Sequence, residues 1–216
     1  MRNIVCLISG RGSNLEAILR SAREQDWART LDARVVSVIS NRADAAGLAI
    51  ARNAGIGTTV VPHAAYSTRD EFEAALTAVI DSHAPILVVL AGFMRVLTAG
   101  FVSHYAGRLI NIHPSLLPAF PGLATHRQAL AAGVKVHGCT VHFVSNQVDG
   151  GPIIAQAAVR VHADDTEESL GARVLEEEHV LLPRCVRWIC EGRVRLEQDR
   201  VLTQGLGVDS QSLLAA

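Results

Sequence analysis

An asparagine and a histidine stand two residues apart in the segment LINIHPSLLP, residues 109–118. Asn111 and His113 belong to an apolar strand pattern, so both side chains point to the same face of that strand. Pro114 ends the strand and keeps the pair at its rim. An amide donor beside an imidazole in such a place can hold a developing oxyanion. The alternative is structural: His113 caps a strand, and Asn111 satisfies a neighbouring backbone group.

A single carboxylate lies in the turn NQVDGGP, residues 146–152. The glycines after Asp149 keep bulk away from it, and the Asp-Gly-Gly stretch is expected to supply the backbone freedom for positive φ in the turn. A carboxylate near an imidazole raises the pKa of the imidazole, which produces a general acid near neutral pH. Aspartate before glycine is also common for turn chemistry alone, so a structural alternative stays open here too.

The segment ISGRGSNLEAIL, residues 8–19, is a strand, a glycine turn and the start of a helix. The backbone N–H groups of Gly12, Ser13 and Asn14 at this helix start predict an anion site. The alternative is a plain turn with Ser13 as the N-cap. Leu15 replaces the third glycine of a dinucleotide fingerprint, and the second strand ends without an acid, so a monophosphate fits better than NAD and a hydride enzyme is excluded.

The elements that position these residues alternate regularly in the first half of the chain. Apolar strand patterns and helical patterns follow each other, with strands at 3–8, 33–40, 58–61 and 86–91 and helices at 13–25, 45–53, 68–83 and 98–105. This rhythm predicts a Rossmann-like α/β fold, a mostly parallel sheet flanked by helices. Thr68 and Glu71 predict a capping box at one helix start.

From residue 109 the pattern changes to a Pro/Gly-rich loop and alternating strands, which predict antiparallel strands in the C-terminal lobe. A long helix, 166–189, should be capped by Asp165 with Glu168 and kinked or broken by Pro183. We interpret the chain as one domain at 1–190, with a nucleotide-binding lobe at 1–108 and a catalytic lobe at 109–190, and a C-terminal strand and tail at 191–216 that is loosely ordered after Gly205.

Composition excludes several classes of protein. The chain of 216 residues is 49% hydrophobic with a net charge of −1, which favours one sizeable core and gives no attraction to nucleic acid or to a membrane surface. Apolar runs are shorter than the ~20 residues of a membrane span, and no signal peptide is evident, so we expect a cytoplasmic protein. The cysteines form no CxxC pair and the histidines lack metal-ligand spacing, so no disulfide or metal is expected.

Several ordered motifs together resemble the phosphoribosylglycinamide formyltransferases, folate-dependent enzymes of purine biosynthesis. They are ISGRGSNLEAI, VLAGFMRVL, FVSHYAGRLINIHPSLLPAFPGL, THRQAL, HGCTVHFV and VDGGPIIAQ, and they extend to about residue 190. The resemblance implies transfer of a formyl group from the cosubstrate 10-formyltetrahydrofolate to the amine of 5-phosphoribosylglycinamide, without a metal. The partners are then these small molecules, and the chain is a monomer or a homodimer.

The resemblance also implies roles for the matching residues. His113 is the proton donor, Asp149 keeps it protonated, and Asn111 stabilises the tetrahedral intermediate. The substrate phosphate matches the loop of Gly12, Ser13 and Asn14, and a ribose-binding acid matches Glu178. On sequence alone, Glu178 lies on an apolar helical stripe with Val174, Leu181 and Cys185, where an acid needs a partner, so a buried ion pair is the alternative.

The folate site is implied for a larger set of residues. These are Arg69, Met94, Arg95, Val96, Leu97, Asn111, Ser145, Val148 and Asp149. A methionine and an arginine that leave a strand together suit a flat heterocycle with a polar edge, although FMRVL is also typical of a strand that simply runs into a loop. Ala124 and Ala119 depart from a histidine and a lysine that are common in the family, and this puts details of the flap over the substrate in doubt.

Three rival functions stay open. A formyltetrahydrofolate deformylase transfers the formyl group to water, and it usually carries an N-terminal regulatory domain, for which a first strand at Asn3 leaves no expected room. A transfer-RNA formyltransferase would need a further C-terminal domain. A phosphate-binding module without catalysis belongs to another class, and the combination of Asn111, His113 and Asp149 argues against it.

Overall fold

The computed structural model describes residues 1–206 of the chain. They fall into two compact units, residues 1–111 and a second unit that begins at Ile112. The loosely ordered tail expected after Gly205 lies, from residue 207 onwards, outside the described residues.

The first unit alternates strands and helices, as the sequence predicts. Its elements are β1 (Arg2–Ile8), α1 (Ser13–Glu24), α2 (Trp27–Thr30), β2 (Ala33–Ser40), α3 (Gly47–Asn53), β3 (Gly57–Val60), a 3-10 turn (His63–Ala65), α4 (Arg69–Asp81), β4 (Leu87–Leu90), α5 (Ala99–His104) and β5 (Leu109–His113), which crosses into the second unit. The strands pair in parallel in the order β3-β2-β1-β4-β5.

The parallel arrangement follows from burial on both faces of the central strands. In β1 all residues from Ile4 to Ile8 have no exposed surface, and β4 is buried throughout. Strands of this kind are stable only between helices. The capping box of α4 is confirmed, since Glu71 N donates to Thr68 Oγ1 (3.2 Å) and Thr68 N donates to a carboxylate oxygen of Glu71 (3.2 Å).

The second unit contains the remaining elements, which are α6 (Thr125–Ala131), β6 (Val136–Phe143), β7 (Ile153–Arg160), α7 (Glu167–Cys190), β8 (Val194–Glu197) and β9 (Arg200–Thr203). β6 and β7 pair antiparallel, α7 packs against both, and β8 and β9 form a separate antiparallel pair. The predicted fold class, α/β with parallel strands flanked by helices and antiparallel strands in the C-terminal half, is confirmed.

The cap of α7 differs from the prediction by one residue. Thr166 is the N-cap, and its side chain and that of Ser169 form the capping box. The prediction of Asp165 with Glu168 was wrong because Asp165 binds elsewhere: its two oxygens accept from both terminal nitrogens of Arg173, at 3.0 and 2.8 Å. A bidentate pair with a guanidinium is stronger than a single capping bond.

Of the kink or break expected at Pro183, the break is wrong. α7 runs without interruption from Glu167 to Cys190, with Pro183 inside it. An internal proline costs a helix about 3 kcal/mol. Here the neighbours on both sides, Leu182 and Cys185 among them, have no exposed surface, so burial of one apolar stripe offsets that cost.

The cysteines pack as small apolar residues. Cys6 in β1 and Cys139 in β6 are fully buried free thiols, as the strand patterns predict. Burial raises the pKa of Cys6 to about 12, so its thiol is neutral. Within residues 1–206, no helix is long and apolar enough to cross a bilayer.

Candidate active site

His113 ends β5 and is 5% exposed. Its Nε2 lies 3.0 Å from the carbonyl oxygen of Phe120. A carbonyl only accepts hydrogen bonds, so Nε2 carries a proton. Nδ1 faces a carboxylate oxygen of Asp149 at 3.5 Å. The acid and the imidazole that the sequence singles out therefore lie together. They form an ion pair when Nδ1 is protonated as well.

Asp149 reaches this position through a strained turn. Its own φ is +53°, so the positive φ expected in the Asp-Gly-Gly stretch is confirmed at Asp149, whereas neither Gly150 nor Gly151 has a positive φ. The glycines are required for space instead: a Cβ on Gly151 would lie 1.9 Å from the carbonyl oxygen of Phe143. Aspartate tolerates the left-handed region better than most residues, which lets the turn aim this carboxylate.

The loop between His113 and α6 is fixed by side chains of the two antiparallel strands. Thr140 Oγ1 donates to Ser115 O (2.7 Å) and accepts from Leu117 N (3.0 Å). Gln156 Nε2 donates to Leu117 O (2.8 Å). The carboxylate of Asp149 adds a contact further along, where it accepts from Gly122 N at 2.8 Å. The carbonyl that orients His113 is therefore part of a rigidly bonded loop.

Two further histidines lie close to His113 and were missed by the sequence analysis. His126 Nδ1 in α6 and His137 Nε2 in β6 are 3.2 Å apart. Burial, with the neighbouring positive charges of His126 and His113, lowers the pKa of His137 to about 4. Burial also lowers the pKa of His126. The aromatic ring of Phe120 packs edge-on against His137. The pair of His126 and His137 therefore supports the loop residue whose carbonyl binds His113.

In the glycine loop of the first unit, there is room for a side chain at Gly10 and none at Gly12. α1 begins at Ser13, and its N-cap is Gly12 with a φ of +82°, so Ser13 is not the cap. A Cβ on Gly12 would lie 2.5 Å from the Cα of Gly47, whereas a Cβ on Gly10 would meet nothing within 4 Å. The first N–H groups of α1 have no acceptor inside the helix, as at every helix start.

The Met94–Leu97 segment follows β4, and its first three side chains are exposed while Leu97 is half-buried. Met94 is 69% and Val96 56% exposed, and Arg95 between them is exposed as well. Exposed apolar side chains that flank a cation form a surface suited to a flat heterocycle with a polar edge. Arg69 is the exposed first residue of α4.

The remaining predicted residues divide between the units. Asn111 is half-buried in β5, where it is the register partner of Leu90 in β4. In the second unit, Val148 is 55% exposed and Ser145 Oγ donates to Gln147 O (3.1 Å). Glu178 is 7% exposed in α7, and the buried stripe predicted for it, with Val174, Leu181 and Cys185, is confirmed.

Comparisons with known proteins identify relatives over the whole chain. The family model described as formyl transferase matches residues 2–186. The phosphoribosylglycinamide formyltransferase of Escherichia coli (strain K12) is 48% identical over 213 residues, which cover 99% of each chain. The solved structure of glycinamide ribonucleotide transformylase 1 from Symbiobacterium toebii is 50% identical, with a TM-score of 0.88 and 94% of each chain covered.

The chain belongs to the formyl transferase family. A formyltetrahydrofolate deformylase from Pseudomonas syringae pv. tomato also matches this formyl transferase, at a TM-score of 0.84 and 30% identity. That match covers 94% of this chain but 65% of the deformylase. The predicted resemblance is therefore confirmed, and the transferase relatives are the more similar ones.

Sequence reasoning had little chance of finding the supporting residues of this formyl transferase. Thr140 offered a weak signal, because it is a polar residue between Cys139 and Val141 in an apolar strand, and in the structure all three are fully buried. The pairing of His126 with His137 offered none, since it depends on the packing of α6 near β6. No group of three or more His, Cys, Asp or Glu residues within 1–206 is placed to hold a metal ion.

Proposed function

We propose that this protein transfers a formyl group from 10-formyltetrahydrofolate to the amine of 5-phosphoribosylglycinamide. The observation that carries the proposal is the buried pair of His113 and Asp149, 3.5 Å apart, in a chain that matches a phosphoribosylglycinamide formyltransferase over 99% of its length. A buried imidazole facing one carboxylate supplies a proton donor for acyl transfer.

The reaction forms one carbon–nitrogen bond and breaks another. The acceptor amine attacks the formyl carbon, the bond from that carbon to N10 of the folate breaks, and one proton passes from the amine to N10. His113 donates to the oxyanion of the tetrahedral intermediate through Nδ1, because Nε2 is engaged by the Phe120 carbonyl and the 3.5 Å contact with Asp149 is only an ion pair. Asn111, two residues earlier in β5, adds an amide donor. Asp149 stabilises the protonated His113 and assists removal of the amine proton.

The acceptor needs a phosphate site and a contact for its ribose. In our proposal the backbone N–H groups of Gly12, Ser13 and Asn14 bind the phosphate, because a helix start offers donors and a favourable dipole. The open space beside Gly10 leaves room for the anion. Glu178 accepts hydrogen bonds from the ribose hydroxyls. This role accounts for the presence of a buried acid on an apolar helical stripe.

The formyl donor needs a surface for its ring system and its acidic tail. We assign this role to Met94, Arg95, Val96 and Leu97, with Arg69 as a cation for the tail. We propose a folate contact for Ser145, Val148 and Asp149 as well. The exposure of Met94, Val96 and Val148 supports this assignment, since apolar side chains of this size are normally buried.

The test compares turnover with and without the acceptor. Purified protein and 10-formyltetrahydrofolate should release tetrahydrofolate rapidly once 5-phosphoribosylglycinamide is added, and the formyl group should be recovered on the acceptor amine. If tetrahydrofolate and formate form equally fast without acceptor, the deformylase activity replaces the transferase. If both ligands bind without turnover, the protein is a binding module.

We further propose that the enzyme is cytoplasmic, that its catalytic domain comprises residues 1–190, and that its partners are its two small-molecule substrates. The monomer and the homodimer are distinguished by light scattering of the purified protein across a concentration series. Fractionation of cells that express the tagged full chain tests the compartment.

A further inference from the structure

One buried serine joins the two segments of the first unit to which substrate contacts are assigned above. Ser9 follows β1, directly precedes Gly10 of the glycine loop, and is 7% exposed. Its N–H donates to Gly92 O (3.0 Å), and its Oγ accepts from Met94 N (2.8 Å). The backbone N–H and the hydroxyl of this residue therefore bind the chain just before and at the start of the Met94–Leu97 segment.

The direction of these bonds is fixed by a third partner. Ser9 Oγ lies 2.6 Å from Asn41 Oδ1, and a carboxamide oxygen only accepts, so the hydroxyl proton points to Asn41. The lone pairs of Ser9 Oγ are then available to Met94 N. Asn41 is 4% exposed, and its Nδ2 lies 3.1 Å from His63 Nδ1. The network crosses the carboxyl ends of four neighbouring strands, β4, β1, β2 and β3.

The far end of the same segment is held by a buried acid. Glu73 is 5% exposed, and one of its oxygens accepts from Thr98 N at 2.9 Å while the other accepts from the Thr98 hydroxyl. The Met94–Leu97 segment is thus bonded through its backbone at its first residue and immediately after its last. Its side chains can project into solvent because its ends do not depend on them.

We infer that Ser9 is a positioning residue for the formyl donor. Its hydroxyl holds the backbone of Met94 at a fixed place beside the glycine loop, so that donor and phosphate-bearing acceptor are presented in register. The inference rests on the proposed function, because it takes the Met94–Leu97 segment as the folate surface. Small displacements of a positioning element are costly in a two-substrate reaction, which depends on the alignment of the reacting atoms.

The experiment uses Ser9→Ala in the full chain, with KM measured for each substrate and amide hydrogen exchange measured at Met94. Loss of the hydroxyl should speed exchange of the Met94 amide about tenfold or more, because its acceptor is gone. KM for 10-formyltetrahydrofolate should rise roughly five- to tenfold, the scale of one hydrogen bond, while KM for 5-phosphoribosylglycinamide changes less than twofold. Asn41→Ala, which removes the group that orients the hydroxyl, should act in the same direction with about half that factor, and it carries the test if Ser9→Ala fails to fold.

Ser37→Ala is the matched control, because it removes the same atom from a 1% exposed serine in β2 of the same unit. An equal rise of the donor KM in Ser37→Ala would overturn the inference, as would faster Met94 exchange with both KM values at the wild-type level. If wild-type protein transfers no formyl group, the proposed function fails by itself. Calorimetric affinity for tetrahydrofolate then replaces KM: a weakening of roughly fivefold or more in Ser9→Ala supports the positioning role, and unchanged affinity overturns it.

Discussion

In the first unit, the glycine loop offers backbone N–H groups beside open space, whereas in the second unit His113 and Asp149 meet as side chains held by a bonded loop. The first arrangement depends on the absence of side-chain atoms at Gly10 and Gly12. The second depends on particular atoms, because Nε2 and Nδ1 of one ring each face a different partner. We expect that larger side chains impair the glycine loop, and that substitutions which keep the shape but change the charge impair the pair of His113 and Asp149.

The largest effect is expected for His113→Ala. Loss of the imidazole should reduce kcat roughly a hundredfold or more, the usual scale of general acid–base catalysis, and should leave KM for 5-phosphoribosylglycinamide nearly unchanged. Steady-state kinetics over both substrates measures this. His162→Ala, at an exposed histidine, is the control. A variant that lost acceptor affinity and kept its rate would contradict the division between the two regions.

Acid should act on the second unit through His137. The unfolded histidine has a pKa near 6.5 and the folded one a pKa of about 4, so between these values the unfolded chain binds a proton that the folded chain does not. Stability therefore falls as the pH drops through this window, by about 2–3 kcal/mol in total. Urea unfolding between pH 7.5 and pH 4 should show a smaller decline in His137→Gln. The same decline in both proteins would contradict the assignment.

Asp149→Asn changes charge at nearly constant shape. Asparagine also tolerates the positive φ of this position and keeps an oxygen for the N–H of Gly122, but it no longer attracts a protonated His113. We expect kcat to fall roughly ten- to a hundredfold with an unchanged unfolding midpoint. Asp199→Asn provides the control, since Asp199 is exposed and has a φ of +61°. A wild-type rate in Asp149→Asn would show that the charge is not used.

The smallest kinetic effect is expected for Gly10→Ala, which adds one methyl group to the open space of the loop. KM for 5-phosphoribosylglycinamide should rise about tenfold, the worth of one good contact, without loss of stability. Gly12→Ala should instead lower the free energy of unfolding by about 2 kcal/mol, because its φ is positive and Gly47 is in the way. Thermal unfolding and acceptor kinetics of both variants separate ligand contact from packing. Equal acceptor affinity in Gly10→Ala and wild type would show that the phosphate does not bind beside Gly10.

Much of the fold was accessible from the sequence because it depends on local patterns. The central strands of the first unit, β1 and β4, are short apolar runs buried on both faces, and Thr68 with Glu71 marks a helix start by chemistry within one turn. Pro183 shows the limit of such reasoning. Local propensity predicts a break there, but the energy that keeps α7 continuous comes from apolar neighbours packed against other elements.

The candidate site divides in the same way. Asn111, His113, Asp149 and the glycine loop could be singled out from residue types and spacing, and the resemblance gave them their roles. The steric requirement for Gly151 could not be predicted, because it depends on how closely this glycine approaches the carbonyl oxygen of Phe143. The hydroxyls of Ser9 and Thr140 stood in apolar strand contexts, and only their tertiary partners distinguish them from ordinary buried residues.

The contact between Gly12 and Gly47 also constrains attempts to redesign the acceptor specificity. A Cβ at either position would clash with the backbone of the other glycine or with the side chain of Ile8. Both positions therefore require glycine. A library that randomises the loop at Gly12 would consist mostly of destabilised chains. Diversity placed at Gly10 and Arg11, with Gly12 and Gly47 held constant, samples new ligand contacts while the connection between the first and third helices is retained.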